Sequence, residues 1–188
     1  MTTPYDVAVL VGSLRKGSIS RTLANALIGL ADPRLALRLV EIGDLPLYDP
    51  DLDVEGGPAP WARLRREIAP AAGLLFVTPE YNRSVPASLK NAIDVGSRPY
   101  GKAVWSGKPG AIISLSQGLL GGFGANHHLR QMLVFLDVPA MQQPEAYLSN
   151  AGQLFDAEGG FVSPGTRDFM AAYLAAFASW IERAAKRA

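Results

Sequence analysis

Short, uncharged, apolar segments alternate with helical patterns along this chain. The clearest segments are residues 7–11 and 73–77. A run of this kind is typical of a strand that is buried on both faces. Strands that alternate with helices build a parallel sheet with right-handed crossovers and with helices on both faces. This alternation constrains the fold more strongly than any other feature of the sequence.

The pattern predicts five strand–helix units. Strands are predicted at residues 7–11, 35–42, 73–77, 111–115 and 146–148, and helices at 22–31, 61–71, from Pro86 onward, 126–136 and 166–187. Ser20 or, alternatively, Ser18 is expected to cap the first helix. Residues 43–60, rich in Pro, Asp and Gly, are predicted to form a surface loop. These units predict an α/β fold, a flavodoxin-like three-layer sandwich whose five-stranded parallel sheet has the order 2-1-3-4-5. We expect residues 1–188 to form a single domain.

Composition excludes several classes of function. The net charge of +1 and the scattered basic residues argue against nucleic-acid or membrane partners. The absence of cysteine excludes disulfides, thiolate metal sites and Cys nucleophiles. His127 and His128 are adjacent on a predicted helix and cannot share a metal, so no metal site is expected. Without a signal peptide or a stretch of about 20 apolar residues, the chain is expected to be cytoplasmic.

The loop at residues 12–20 has the chemistry of a phosphate site. Gly12 and Gly17 permit a tight turn, and a loop that enters a helix offers free backbone amides. The loop matches neither the Walker A pattern nor the G-x-G-x-x-G fingerprint, which argues against ATP hydrolysis and Rossmann-type NAD binding. The alternative is an ordinary turn with a serine cap. If the loop binds a phosphate, the candidate ligands are Ser13, Arg15, Ser18 and Ser20.

The loop at residues 78–86 has the chemistry to hold a flat heteroaromatic ring. Pro79 stiffens the turn after the strand, Tyr81 can contact a ring face, and Asn82 offers both a donor and an acceptor. Alternatively, Tyr81 is a rim aromatic and Glu80 a solvated charge. Both loops leave the carboxyl ends of strands, where open parallel sheets bind ligands. Together they predict a flavin mononucleotide (FMN) site and a redox function.

These residues resemble those of the NADPH-dependent FMN reductase family, which includes quinone, azo-dye and chromate reductases. The resemblance covers about residues 5–150. Five segments carry the resemblance: residues 12–18, residues 79–82, Lys108-Pro109, Ser116 with the glycines that follow it, and residues 129–131. It implies non-covalent FMN, with NADPH or NADH as the electron donor. By position, it implies that the phosphate is held by Ser13, Arg15, Ser18 and Ser20, and the ring by Pro79, Glu80, Tyr81, Asn82, Ser116, Gln117 and Gly118.

The resemblance also implies an activity and an assembly. Hydride would pass from NAD(P)H through FMN to a quinone, azo dye, chromate or free flavin by a ping-pong mechanism, with no catalytic side chain. Family members usually form homodimers or homotetramers. The helix at 126–136 and the loop around Trp105 are the candidate contacts, although Phe123 and Trp105 are alternatively core residues. Arg130 is a candidate partner for Glu80 or Glu145 across that interface.

Two other functions remain open at this point. One is a flavodoxin-type electron carrier without NAD(P)H activity of its own. The other is a binder of a non-flavin nucleotide or sugar phosphate. The cationic pair Arg15 and Lys16 at the anion loop and the nearly neutral net charge favour the reductase.

Overall fold

Five parallel strands form the centre of the molecule. The computed structural model describes residues 3–55 and 57–186. The sheet has the order β2-β1-β3-β4-β5, and each neighbouring pair is parallel. This confirms the predicted strand order. The strands are β1 (Tyr5–Val11), β2 (Leu35–Val40), β3 (Gly73–Pro79), β4 (Gly110–Leu115) and β5 (Ala146–Leu148).

The helices follow the strands as predicted, with small shifts at their ends. They are α1 (Ile19–Gly29), α2 (Ala59–Ile68), α3 (Ala87–Gly96), α4 (Phe123–Phe135) and α5 (Pro164–Ala185). The N-cap of α1 is Ser18, whose Oγ accepts a hydrogen bond from the Arg21 amide at 3.2 Å. Ser20 therefore lies inside the first turn and is not the cap. Arg187, the end of the predicted last helix, lies outside the described residues.

The two faces of the sheet carry separate layers of the core. Val7, Val9 and Val11 point toward α1 and α5, whereas Ala8 and Leu10 point toward the opposite layer, which contains α2, α3 and α4. Alternation along β1 thus buries both of its faces, as expected for a central parallel strand. None of the described helices is long and apolar enough to cross a membrane.

A tyrosine hydroxyl pairs with the edge of β4 at a position that the short strand β5 does not reach. β5 pairs only with Ile113, Ser114 and Leu115. The Tyr173 hydroxyl donates to the Ile112 carbonyl at 2.8 Å and accepts from the Ile112 amide at 3.0 Å. Burial raises the pKa of this fully buried phenol, so it remains a protonated donor. Tyr173 therefore replaces the missing strand partner.

The segment predicted as a surface loop at 43–60 ends earlier than expected, because α2 begins at Ala59. Before that helix, its described part has one short 3₁₀ turn (Pro50–Leu52), and the segment is tied to the rest of the structure. The Asn91 side chain accepts from the Tyr48 amide at 2.8 Å and donates to the Pro46 carbonyl at 2.9 Å. The Arg65 guanidinium binds the Asp53 carboxylate at 2.7 and 2.8 Å. Hydrogen bonding from Arg65 holds the pKa of Asp53 below its usual range. These contacts fix a segment whose sequence predicts only irregular structure.

Candidate functional site

The carboxyl ends of β1, β3 and β4 converge on a pocket of about 270 Å³. Most of the residues predicted for the cofactor line it, but Asn82 and Gly118 are not among them. Three apolar residues of the lining, Ile19, Leu115 and Ala151, were not predicted, because an apolar side chain in the sequence indicates only packing. The predicted residues that line the pocket are Ser13, Arg15, Ser18, Ser20, Pro79, Glu80, Tyr81, Ser116 and Gln117.

One end of the pocket is rich in unused hydrogen-bond donors. Within the described part of the chain, the backbone amides of residues 13–20 donate to no protein acceptor. Ser18 and Ser20 are only 5% and 3% exposed yet line the pocket, and nothing described accepts from or donates to the Ser20 hydroxyl. Arg15 has no carboxylate within 4 Å among the described residues. Free amides at a helix N-terminus, hydroxyls and an uncompensated guanidinium together suit a phosphate dianion.

The two loops meet at Gly12. Its amide donates to the Val77 carbonyl at 2.9 Å, and its carbonyl accepts from the Ser88 hydroxyl at 2.9 Å. A Cβ at this position would lie 3.2 Å from Pro79 Cδ. A side chain here would therefore press on the second loop, which explains the glycine.

The opposite end of the pocket is bounded by Pro79 and Tyr81. Tyr81 is 59% exposed and stands at the rim. It pairs with Ser84 through both backbone hydrogen bonds, and Asn82 and Arg83 between them have φ of 48° and 64°. This is the geometry of a two-residue type I′ hairpin turn. The turn holds Asn82 at an exposed tip, where it lines a different groove, between this loop, α3 and α4.

Glu80 is neither a solvated charge nor a free charge in the pocket. Its Oε2 accepts a hydrogen bond from the Ala125 amide in α4 at 3.0 Å, and its Oε1 lies 3.5 Å from Arg83. The carboxylate is therefore engaged by α4, and it makes no ion pair with Arg130. Arg130 instead donates to the Asn126 side chain and to the Met141 carbonyl. Pairing of Arg130 across an interface stays a prediction.

The third wall comes from the loop after β4. The Ser116 amide donates to the Leu148 carbonyl at 3.1 Å, and the Ser116 hydroxyl donates to the Gly118 carbonyl at 3.2 Å. The same carbonyl accepts from the Asn150 amide. Gly118 thus shapes this loop from outside the pocket, while Gln117 lies at its exposed edge.

A larger groove of about 540 Å³ lies between α1 and residues 151–159. Its wall contains Asp156 and Glu158. These carboxylates would repel a phosphate dianion, so the smaller pocket is the better anion site.

The structure shows the surroundings of the two aromatic residues and the two histidines that the sequence singled out. Trp105 is buried in the core and donates to the Ile93 carbonyl at 2.9 Å, so the loop around it does not present this side chain for contact with another subunit. Phe123, in contrast, is exposed. His127 contacts the Tyr147 hydroxyl at 3.2 Å, and His128 contacts the Ser84 hydroxyl at 3.0 Å. No group of acidic or histidine side chains in the described residues is arranged to hold a metal ion.

Comparison with known proteins finds similarity along nearly the whole chain. The model of the NADPH-dependent FMN reductase family matches residues 5–153. A quinone reductase from Pseudomonas putida is 58% identical over 182 residues, 97% of each chain. A 2-hydroxy-1,4-benzoquinone reductase from a Burkholderia species is 46% identical over 175 residues, 93% of this chain and 95% of that one.

A solved structure extends the similarity to the three-dimensional fold. FerB, a flavoenzyme NAD(P)H:(acceptor) oxidoreductase from Paracoccus denitrificans, aligns with a TM-score of 0.89 at 41% identity. The alignment covers 95% of this chain and 98% of FerB. The pocket and these matches along nearly the whole chain lead to one conclusion. The chain belongs to the NADPH-dependent FMN reductase family.

Proposed function

We propose that this protein is an FMN-dependent NAD(P)H oxidoreductase that reduces quinones. The observation that carries the proposal is the pocket at the ends of β1, β3 and β4, which joins a donor-rich end to a stiff aromatic rim. The family to which the chain belongs supports FMN as the cofactor, and the names of two relatives support quinones as the acceptor class. Azo dyes, chromate and free flavin are further candidate acceptors.

The donor-rich end fits the phosphate of FMN. Ser13, Ser18 and Ser20 would supply hydroxyls, and the amides of residues 13–20 would supply backbone donors. Arg15 would neutralise part of the dianion, since none of the described carboxylates competes for it. Gly17, with φ of 64°, gives the loop the left-handed conformation that this curvature requires.

The rim fits the isoalloxazine ring. Pro79, Glu80 and Tyr81 would bound one side of it, and Ser116 and Gln117 the other. Asn82 and Gly118 would support these loops from outside the pocket. When bound, FMN supplies the hydride and electron chemistry, so the protein needs no nucleophile or metal of its own.

The roles of the side chains follow from their placement. The hydrogen-bonded turn at Tyr81 and Ser84 and the stiff Pro79 would hold the ring in one orientation. The exposed Tyr81 would contact a flat donor or acceptor that stacks on the open side of the ring. We propose that nicotinamide and quinone use this same open side in turn, which makes the kinetics ping-pong.

The test is a visible spectrum of the purified protein followed by anaerobic addition of NADPH or NADH. We expect a yellow protein that bleaches on addition of the donor and recovers its colour when a quinone is added. A colourless protein that takes up no FMN would favour a different nucleotide or a sugar phosphate. A yellow protein that neither donor bleaches would favour an electron carrier.

We also propose a cytoplasmic homodimer or homotetramer. Phe123, Val134 and Phe135 expose large apolar side chains along α4, which supports this helix as the subunit contact. Light scattering at micromolar concentration tests this assembly, and a monomer would contradict it.

A further inference from the structure

The first turn of α4 has no cap of its own. Its N-cap is Gly122, with φ of 75° and no side chain to accept a hydrogen bond. Helix N-termini normally use a Ser, Thr, Asp or Asn side chain to accept from the amide two or three residues later. In α4, the amide three residues after the cap is that of Ala125.

The surrounding backbone keeps a capping side chain out of this turn. A Cβ at Gly122 would lie 3.0 Å from Ser114 Cβ, and one at Gly121 would lie 2.6 Å from the carbonyl carbon of Tyr147. Both glycines also have positive φ, which L side chains rarely adopt. An acceptor for the Ala125 amide must therefore come from another segment of the chain.

Glu80 supplies that acceptor. Its Oε2 lies 3.0 Å from the Ala125 nitrogen, and the side chain is only 11% exposed. The negative charge also suits the positive end of the helix dipole. Gly124 completes the contact, because a Cβ there would lie 2.6 Å from the Arg83 carbonyl oxygen. The second loop therefore packs directly on the first turn of α4.

We propose that Glu80 is a positioning residue. By capping α4 across the fold, its carboxylate fixes the backbone from Pro79 to Tyr81, and so sets the orientation and affinity of the bound ring. This proposal rests on the proposed FMN site. It gives the acidic residue between two pocket-lining residues a role that is separate from direct contact with the cofactor.

The test compares Glu80→Ala and Glu80→Gln with two controls. Glu80→Ala removes the acceptor, whereas the Gln amide oxygen can still accept from the Ala125 amide. Asp168→Ala removes an exposed carboxylate near the start of α5. Arg83→Ala removes the cation that lies 3.5 Å from Glu80 Oε1, and the Arg83 side chain is 72% exposed. Both controls should behave as wild type, because exposed ion pairs contribute little.

The first readout needs no cofactor. In the apoprotein, Glu80→Ala should speed hydrogen exchange of the Ala125 amide by about tenfold or more, because its acceptor is lost. Exchange in the buried part of α5 should stay unchanged, which shows that the variant is folded. Glu80→Gln should stay within about threefold of wild type.

The second readout is FMN itself, measured by fluorescence titration and by visible circular dichroism of the bound flavin. Glu80→Ala should weaken binding by about tenfold and alter the dichroism, and Glu80→Gln should restore both. Wild-type exchange and affinity in Glu80→Ala would overturn the proposal, and so would a Gln variant as defective as Ala. If wild type bound no FMN, the proposed function would fall, while exchange at Ala125 would still decide whether Glu80 caps α4.

Discussion

Replacing Tyr173 with Phe tests whether one hydroxyl completes the edge of β4. The substitution keeps the buried ring and removes the oxygen that bridges the Ile112 amide and carbonyl at 3.0 and 2.8 Å. Both backbone groups would then be buried without a partner. Each such group costs about 1–3 kcal/mol, so for the two groups together we expect a loss of roughly 2–6 kcal/mol in the free energy of unfolding. That is a large part of the roughly 5–15 kcal/mol that stabilises a typical domain.

Urea unfolding of the apoprotein, followed by far-UV circular dichroism, measures this loss. Tyr147→Phe is the matched control, because among the described residues its hydroxyl hydrogen-bonds only side chains, those of His127 at 3.2 Å, Glu145 and Arg130, so its loss leaves no buried backbone group without a partner. We expect the control to lose less than about 1 kcal/mol. If Tyr173→Phe lost no more than the control, the bridging hydroxyl would not be a significant source of stability.

Three further substitutions test the site and its supports. Arg15→Ala should raise the FMN dissociation constant by about 10- to 100-fold, the equivalent of one or two charge-assisted hydrogen bonds. The melting temperature of the apoprotein should not change. An unchanged affinity in a fluorescence titration would show that Arg15 does not bind the phosphate. Asp53→Asn should cost about 3 kcal/mol at pH 7 by urea unfolding. The pKa of Asp53 is lowered in the folded state, so the stability that its ionised carboxylate contributes is fully present above pH 3.8 and is lost as the pH falls through the lowered pKa. An equal cost of the substitution at pH 7 and pH 3 would therefore contradict the ion pair with Arg65 as the source of this stability. Gly121→Ala should destabilise by about 1–3 kcal/mol because its Cβ meets the Tyr147 backbone, whereas Gly29→Ala, with open space around it, should not; equal thermal stability of the two variants would refute the steric argument.

Local patterns were enough to predict the sheet. Val7, Val9 and Val11 alternate with Ala8 and Leu10, and the absence of charge among them predicts burial on both faces, as the structure confirms. The loops at the ends of these strands carried their own chemical signal. The order of the strands placed those loops side by side, so most of the candidate site followed from the sequence.

The rest depends on pairings between distant segments. Glu80 and Ala125 are 45 positions apart, and no local rule distinguishes a helix-capping glutamate from a solvated one. Asn91 occurs in a helix with a normal apolar pattern, yet it binds backbone groups of the loop at 45–48. The sequence placed Tyr173 correctly in an apolar stripe, but its hydrogen bonds to Ile112 depend on where β5 begins, at Ala146 opposite Ile113.

The close approach at Gly12 bears on how enzymes of this type can diversify. The first loop approaches the second so closely at Gly12 that a methyl group there would lie 3.2–3.4 Å from Pro79, Thr78 and Pro86 and would push these residues outward. Side chains at the open margin, such as Tyr81 and Gln117, do not determine this spacing. We therefore expect mutations at the margin to change the preferred electron acceptor while the cofactor stays in place.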